Sequence, residues 1–202
     1  MPDEVVLIPT LGSHRTDEVL SYAFTPTPNI LPQSVTGEAL QTLSKALIER
    51  SLDEVELNHS RDRDDDIYSL FEGEGLPGDM ICWYLIEGED NDKLRLFCTV
   101  ALSVPQEKWG HALLLSNAYN AQCRVGNTYL RIKEGEPEAQ LYFDACLDLP
   151  DGVTDSTLQR FLMLSLYAAH VFFEKCGAQN LFVPTRSKKR RQAHTTREVT
   201  HT

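Results

Sequence analysis

Nine consecutive residues restrict this chain more than any others. Leu141, Phe143, Ala145, Leu147 and Leu149 alternate with Tyr142, Asp144, Cys146 and Asp148. A period of two belongs to a strand, and it puts the first set on a buried face and the second toward water or a partner. Such a strand needs another layer to bury its apolar face against.

That layer follows at once. Pro150-Asp151-Gly152 breaks the strand, Thr154 is placed to cap a helix, and Asp155 suits the helix's positive end. Leu158, Phe161, Leu162, Leu166, Ala169, Phe172 and Phe173 then form one broad apolar stripe. Lys175 suits the last turn, and Gly177 suits a left-handed C-cap.

Working back, residues 123–133 form a second strand of weaker alternation, with Gly135 and Pro137 marking the hairpin turn. Ser103-Val104-Pro105-Gln106 has capping-box spacing with Pro in the first turn. It predicts a helix continuing through Trp109, Ala112, Leu113 and Tyr119. Residues 103–177 therefore spell helix, hairpin, helix.

The preceding chain supplies the remaining elements. Thr36 caps a first helix whose buried stripe is Leu40, Leu43, Leu47 and Ile48, ending near Ser51. Residues 67–71 make a strand behind an acidic loop. Residues 79–86 are strand-like, with Ile81, Trp83 and Leu85 opposite Cys82, Tyr84 and Ile86. In residues 93–102, Leu94, Leu96, Cys98, Val100 and Leu102 face one way, and Arg95, Phe97 and Thr99 the other. The order α-β-β(-β)-α-β-β-α is an α+β fold, one antiparallel sheet flanked by helices around one core. A chain of 202 residues can bury such a core.

Residues 34–183 make up this domain. Residues 1–33 form an extended arm, because Thr25-Pro26-Thr27-Pro28 and Pro32 oppose helix. Within the arm, residues 5–8 have the composition of a short strand. Residues 184–202 form a basic, disordered tail without apolar periodicity, and Leu181-Phe182-Val183 just before it can still touch the body.

Charge narrows the partners. From Arg186 onward there are six Lys or Arg and one Glu, a net +5, which leaves −16 on the rest of a chain whose total is −11. An acidic body repels nucleic acid and anionic membranes and favours a basic partner. No run of 18 apolar residues exists, so no membrane span is expected, and the acidic N-terminus lacks a secretory n-region. The five cysteines form no C-x-x-C pair and fall mostly in apolar segments, the pattern of small buried hydrophobes in a reducing cytosol.

The motif search is empty of chemistry. Gly73-Glu74-Gly75-Leu76-Pro77-Gly78 matches G-x-G-x-x-G, but a strand rather than a helix follows it, and Pro77 lacks an amide proton. Asp62, Asp64 and Asp66 have the opening spacing of a calcium loop, yet Ile67 and Gly73 stand where it needs Gly and Glu. The six histidines show no metal-ligand spacing, and His170 fits a structural, hydrogen-bonded role. No nucleophile elbow occurs. No catalytic, cofactor or metal residue is assigned.

The outer sheet face is the candidate site. Phe97 and Tyr142 stand there with Arg95 and Asp144, and Trp83 joins them in one of its two registers. Either a partner meets these aromatics, or a helix or the N-terminal arm covers them.

The run Leu113-Leu114-Leu115-Ser116-Asn117-Ala118-Tyr119-Asn120, the segment Leu147-Asp148-Leu149-Pro150-Asp151-Gly152-Val153-Thr154 and the long closing helix resemble the YbjN-like family. The resemblance spans about residues 36–176. It implies a fold related to type III secretion chaperones, often dimeric, with a protein-binding or regulatory role and no catalytic residues to carry over. The proline-rich arm, the acidic insertion around Asp64 and the basic tail depart from that pattern.

These observations converge on a cytoplasmic, non-enzymatic protein-binding module: a chaperone-like or signal-regulatory adaptor, homodimeric. The alternative is an enzyme whose site is assembled from distant residues, with the acidic loop, Asp144 and His111 as raw material.

Overall fold

The alternating stretch is a strand deep inside the sheet, and the fold is built outward from it. A computed structural model describes residues 5–7, 38–73 and 75–185. In chain order the elements are β1 (Val5–Leu7), α1 (Lys45–Glu54), β2 (Ser60–Arg61), β3 (Ile67–Phe71), β4 (Met80–Glu87), β5 (Lys93–Val100), β6 (Leu102–Pro105), α2 (Trp109–Gln122), β7 (Asn127–Ile132), β8 (Glu138–Asp148), α3 (Asp155–Ala178) and β9 (Val183–Pro184). All pairings are antiparallel, in the order β1-β7-β8-β5-β4-β3-β2, with β6 pairing both β8 and β9.

Period two decides what is buried. Met80, Cys82 and Tyr84 of β4, Leu94, Leu96, Cys98 and Val100 of β5, and Leu141, Phe143 and Ala145 of β8 all point inward. They join Leu47, Ile48 and Leu52 of α1, Ala112 and Tyr119 of α2, and Leu158, Leu162, Ala169, Phe172 and Phe173 of α3 in one core. All three helices therefore give their buried residues to the same side of the sheet. The α+β class and the layer arrangement follow the sequence expectation.

Several local expectations do not hold. Ser103-Val104-Pro105 is not a helix start but strand β6, because β9 pairs with Ser103 at Val183 and β8 pairs with Val104 and Pro105 at Ala139 and Glu138. Ser103 Oγ donates to the Glu138 carboxylate instead of capping, and a 3-10 turn at Gln106–Lys108 precedes α2. Ala101 breaks what the sequence presents as one strand. Thr99 and Val104, five residues apart, face Tyr142 and Ala139, three residues apart, so the chain bulges between β5 and β6.

The first helix begins at Lys45, where Ser44 Oγ accepts from the Leu47 N–H at 3.2 Å. Leu40 is 62 % exposed and lies outside the helix, because Gln41 is tied to Val153 by two backbone bonds of 2.9 Å. Thr36, the expected cap, lies outside the described residues, as do residues 1–4 and 8–33 of the arm and the tail from Arg186. Val5–Leu7 of the arm pairs with β7.

The second strand of the hairpin starts at Asn127, four residues later than its apolar content indicates. Residues ahead of it form a turn in which Tyr119 Oη donates to the Val125 carbonyl and Gly126 takes φ +69°. Asn120 on α2 then clips the strand: its Oδ1 accepts from the Thr128 N–H at 2.8 Å, and its Nδ2 donates to the Thr128 carbonyl at 2.9 Å. Gly177 is an interior residue of α3, not its left-handed cap. A Cβ there would sit 3.0 Å from Pro77 Cβ, and Asn180, at φ +52°, takes the left-handed position.

The cysteine expectation needs the largest correction. Cys82 and Cys98 are buried, but they are disulfide-bonded cross-strand neighbours with Cα atoms 4.2 Å apart. Cys146 is exposed rather than buried. A separation of 16 residues in sequence hid a direct pairing created by the β4–β5 hairpin.

Candidate functional site: the outer face of the sheet

The residues that alternate with the core set share the other face. The β3–β4–β5 register places Tyr68 beside Trp83 and Trp83 beside Phe97, and β8 places Asp144 beside Phe97. One step along, Leu70, Ile81, Thr99, Tyr142 and Tyr129 are successive cross-strand neighbours on β3, β4, β5, β8 and β7. Trp83 thus belongs to the outer face. The five residues singled out in the sequence, Trp83, Arg95, Phe97, Tyr142 and Asp144, come together on three adjacent strands, β4, β5 and β8.

Their rings form a continuous ridge. Trp83 and Phe97 have centroids 5.8 Å apart, Phe97 and Tyr142 4.8 Å, and Tyr142 and Tyr129 5.5 Å. The last two pairs stack, at 21° and 28° between planes. Offset stacking is a favoured arrangement of aromatic quadrupoles. Each ring remains only half-buried, because its neighbours are other rim rings and no described helix lies over it. Leu70 at the edge of the ridge is 48 % exposed.

Charged groups sit in register with the rings. Arg95 binds Asp144 through two nitrogens: Nε donates to Oδ1 at 2.9 Å and to Oδ2 at 3.0 Å, and Nη2 donates to Oδ2. Nη1 donates to Glu87 Oε1 at 3.3 Å. The hydrogen bonds from Arg95 to the Asp144 carboxylate hold the guanidinium well above its ordinary pKa. The Arg95 guanidinium carbon also lies 5.4 Å from the Phe97 ring centre, and that of Arg131 lies 5.9 Å from Tyr142. Partial burial pushes the Tyr129 phenol upward. The result is an aromatic ridge edged by ion-paired and cation–π-placed arginines.

Tyr129, Tyr68, Leu70, Ile81 and Arg131 were not singled out from the sequence. The alternation of Asn127, Tyr129 and Arg131 with Thr128, Leu130 and Ile132 carried the signal for Tyr129 and Arg131, but it was blurred by the turn before β7.

The raw material for an enzyme is scattered. Asp144 is on the outer face, while His111 is on α2 behind the sheet. The acidic loop at the β2–β3 turn binds α1: Asp65 pairs with Lys45 at 2.7 Å, and Arg61 with Glu49 at 2.8 Å. The G-x-G-x-x-G string joins two strands, β3 and β4. A cleft of about 270 Å³ is lined by Asp90, Asp92 and Asp151 with no histidine, cysteine or lysine among its walls. Among the described residues no cluster of three His, Cys, Asp or Glu could hold a metal, and no helix is long and apolar enough to cross a membrane.

Among the described residues, the sheet carries three helices on one face and an aromatic ridge on the other, an α+β architecture. The chain's sequence matches, over residues 44–178, the family model YbjN, described as "Putative bacterial sensory transduction regulator", and the chain belongs to that family. Its fold is similar to the crystal structure of "YbjN, a putative transcription regulator from E. coli", with a TM-score of 0.60 at 13 % identity. That match covers 73 % of this chain and 100 % of the other. No curated protein matches the sequence.

Proposed function

We propose that this chain is a cytoplasmic, non-enzymatic adaptor that acts as a homodimer and binds an extended segment of a protein partner in a chaperone-like manner. The working unit is residues 34–183, with arm and tail as appendages. The observation that carries this reading is the unbroken ridge Trp83–Phe97–Tyr142–Tyr129 on the face opposite the three described helices. The family's description as a regulator supports it.

The partner segment lays apolar side chains across the ridge, where aromatic surface yields most per residue. The ionic edge of Arg95, Asp144 and Glu87 sets its orientation. The acidic body, at −16 outside the tail, selects segments with basic flanks and speeds their encounter. Trp83, Arg95, Phe97, Tyr142 and Asp144 are the contact residues.

The test is an array of extended peptides with apolar centres and either Lys/Arg or Asp/Glu flanks. Wild type should bind the basic set, with affinity falling as salt rises. The variant Phe97→Asp plus Tyr142→Asp, shown folded by circular dichroism, should lose that binding. Equal binding by both proteins, or by both peptide sets, sinks the reading. Analytical ultracentrifugation checks the dimer.

A further inference from the structure

The cross-strand disulfide lies directly beneath the aromatic ridge. Cys82 and Cys98 are opposite one another in the β4–β5 register, and the next pair along, Trp83 and Phe97, is the first contact of the ridge. The sulfurs face the core and the rings face out, one residue apart on the same two strands. At 4.2 Å between Cα atoms, Cys82 and Cys98 form the closer, non-hydrogen-bonded kind of antiparallel pair.

As a staple this bond is redundant. β4 and β5 are already joined along their whole length, from Met80↔Val100 to Glu87↔Lys93, and both strands are flanked by further strands. Its distinctive effect is local. Bonded sulfurs sit about 2.0 Å apart, whereas two thiols repel inside roughly 3.5 Å, the ordinary non-bonded range. Both cysteines are fully buried among close-packed neighbours. Separating the sulfurs therefore has to be absorbed by side-chain rotation and by the spacing and twist of β4 against β5. Trp83 and Phe97 ride on those strands, and Phe97 passes the change to Tyr142 and Tyr129 through the stack.

We propose that Cys82 and Cys98 are a reversible two-electron couple that sets the geometry of the aromatic ridge, and so tunes the contact surface assigned above. The proposal rests on that assignment for its consequence but not for its chemistry. Reduction by a dithiol proceeds by attack of its thiolate on one sulfur, giving a mixed disulfide and releasing the other cysteine as a thiolate that takes a proton. The dithiol's second thiolate then displaces the remaining cysteine, which is protonated in turn, and leaves as a cyclic disulfide. Two electrons and two protons pass to the pair. Cys146 is no internal substitute for that reductant: it is on the outer face of β8, and partial burial raises its thiol pKa.

Two measurements on the full chain test this. Protein purified without reductant is denatured, alkylated with iodoacetamide and weighed. The expected product carries three alkyl groups, at Cys123, Cys146 and Cys176, rising to five after dithiothreitol. Five groups before reduction overturn the proposal. Tryptophan emission is then followed across a dithiothreitol titration of the native protein. It should change in one two-electron step that coincides with the appearance of the two thiols, and the step should be absent in Cys82→Ala plus Cys98→Ala. Thiols that appear with no change in emission make the bond a plain staple and also overturn the proposal. Neither readout involves a binding partner, so failure of the adaptor reading would leave both intact.

Discussion

Phe97 and Tyr142 are diagonal neighbours on β5 and β8, and their rings stack with centroids 4.8 Å apart and planes 21° apart. The contact joins the two halves of the ridge: Trp83 reaches it through Phe97, and Tyr129 through Tyr142. A double-mutant cycle with Phe97→Ala and Tyr142→Ala should show a coupling of about 0.5–1.5 kcal/mol in urea unfolding. Additive losses would mean that the rings touch without helping each other.

Asn120 stands in for a neighbouring strand at Thr128, donating and accepting one backbone bond each. Asn120→Ala leaves both groups of Thr128 unpartnered on that side and should cost about 1–3 kcal/mol. Asn120→Asp keeps the acceptor and loses the donor to the Thr128 carbonyl, so its stability by thermal unfolding should fall between wild type and the alanine variant.

Two glycines should respond in opposite directions. At Gly126, φ is +69° and a Cβ would lie 2.5 Å from the Phe143 ring and 2.8 Å from the Asp144 carbonyl oxygen. Gly126→Ala should destabilise by roughly 2–4 kcal/mol, from left-handed strain plus overpacking. At Gly110, early in α2, a Cβ meets nothing within 4 Å. Gly110→Ala should stabilise by about 0.5–1 kcal/mol, the helix-propensity difference. Denaturant midpoints of the two variants should bracket wild type.

Asp65 should make part of the stability acid-sensitive. Hydrogen bonds from Lys45 and Arg61 hold its carboxyl down at about 2, against an ordinary 3.8. The folded pKa is the lower one, so the unfolded chain takes the proton first. The contribution is present above about pH 4 and is lost as pH falls through 3.8 toward 2. Glu49, bonded by Arg61, and Asp155, bonded by Arg50, shift in the same direction. The stability gap between wild type and Asp65→Asn should be constant above about pH 5 and narrow progressively as pH falls from about 4 toward 2. Because the group is exposed, added salt should narrow that gap at neutral pH.

Much of this architecture was legible in one dimension. The alternation in residues 141–149 placed Phe143 inside and Tyr142 outside without any knowledge of neighbouring strands, because a strand's faces are set by local geometry alone. The same holds for Leu96 and Phe97 on β5, and for the capped stripe of α3, where Thr154 accepts from the Thr157 N–H. Those residues also named most of the candidate surface.

What lay beyond the sequence was everything set by a partner elsewhere in the chain. Ser103-Val104-Pro105 has the local pattern of a helix start, and only pairing with β8 and β9 makes it a strand. Leu40 fits a helical stripe until Gln41 is tied to Val153. Tyr129 joins the ridge because β7 pairs with β8 in a particular register, and Cys82 meets Cys98 because a hairpin folds 16 residues back on themselves. Local sequence sets which way a side chain points along its own strand or helix. Which side chain it then meets depends on long-range register, a property of the assembled sheet.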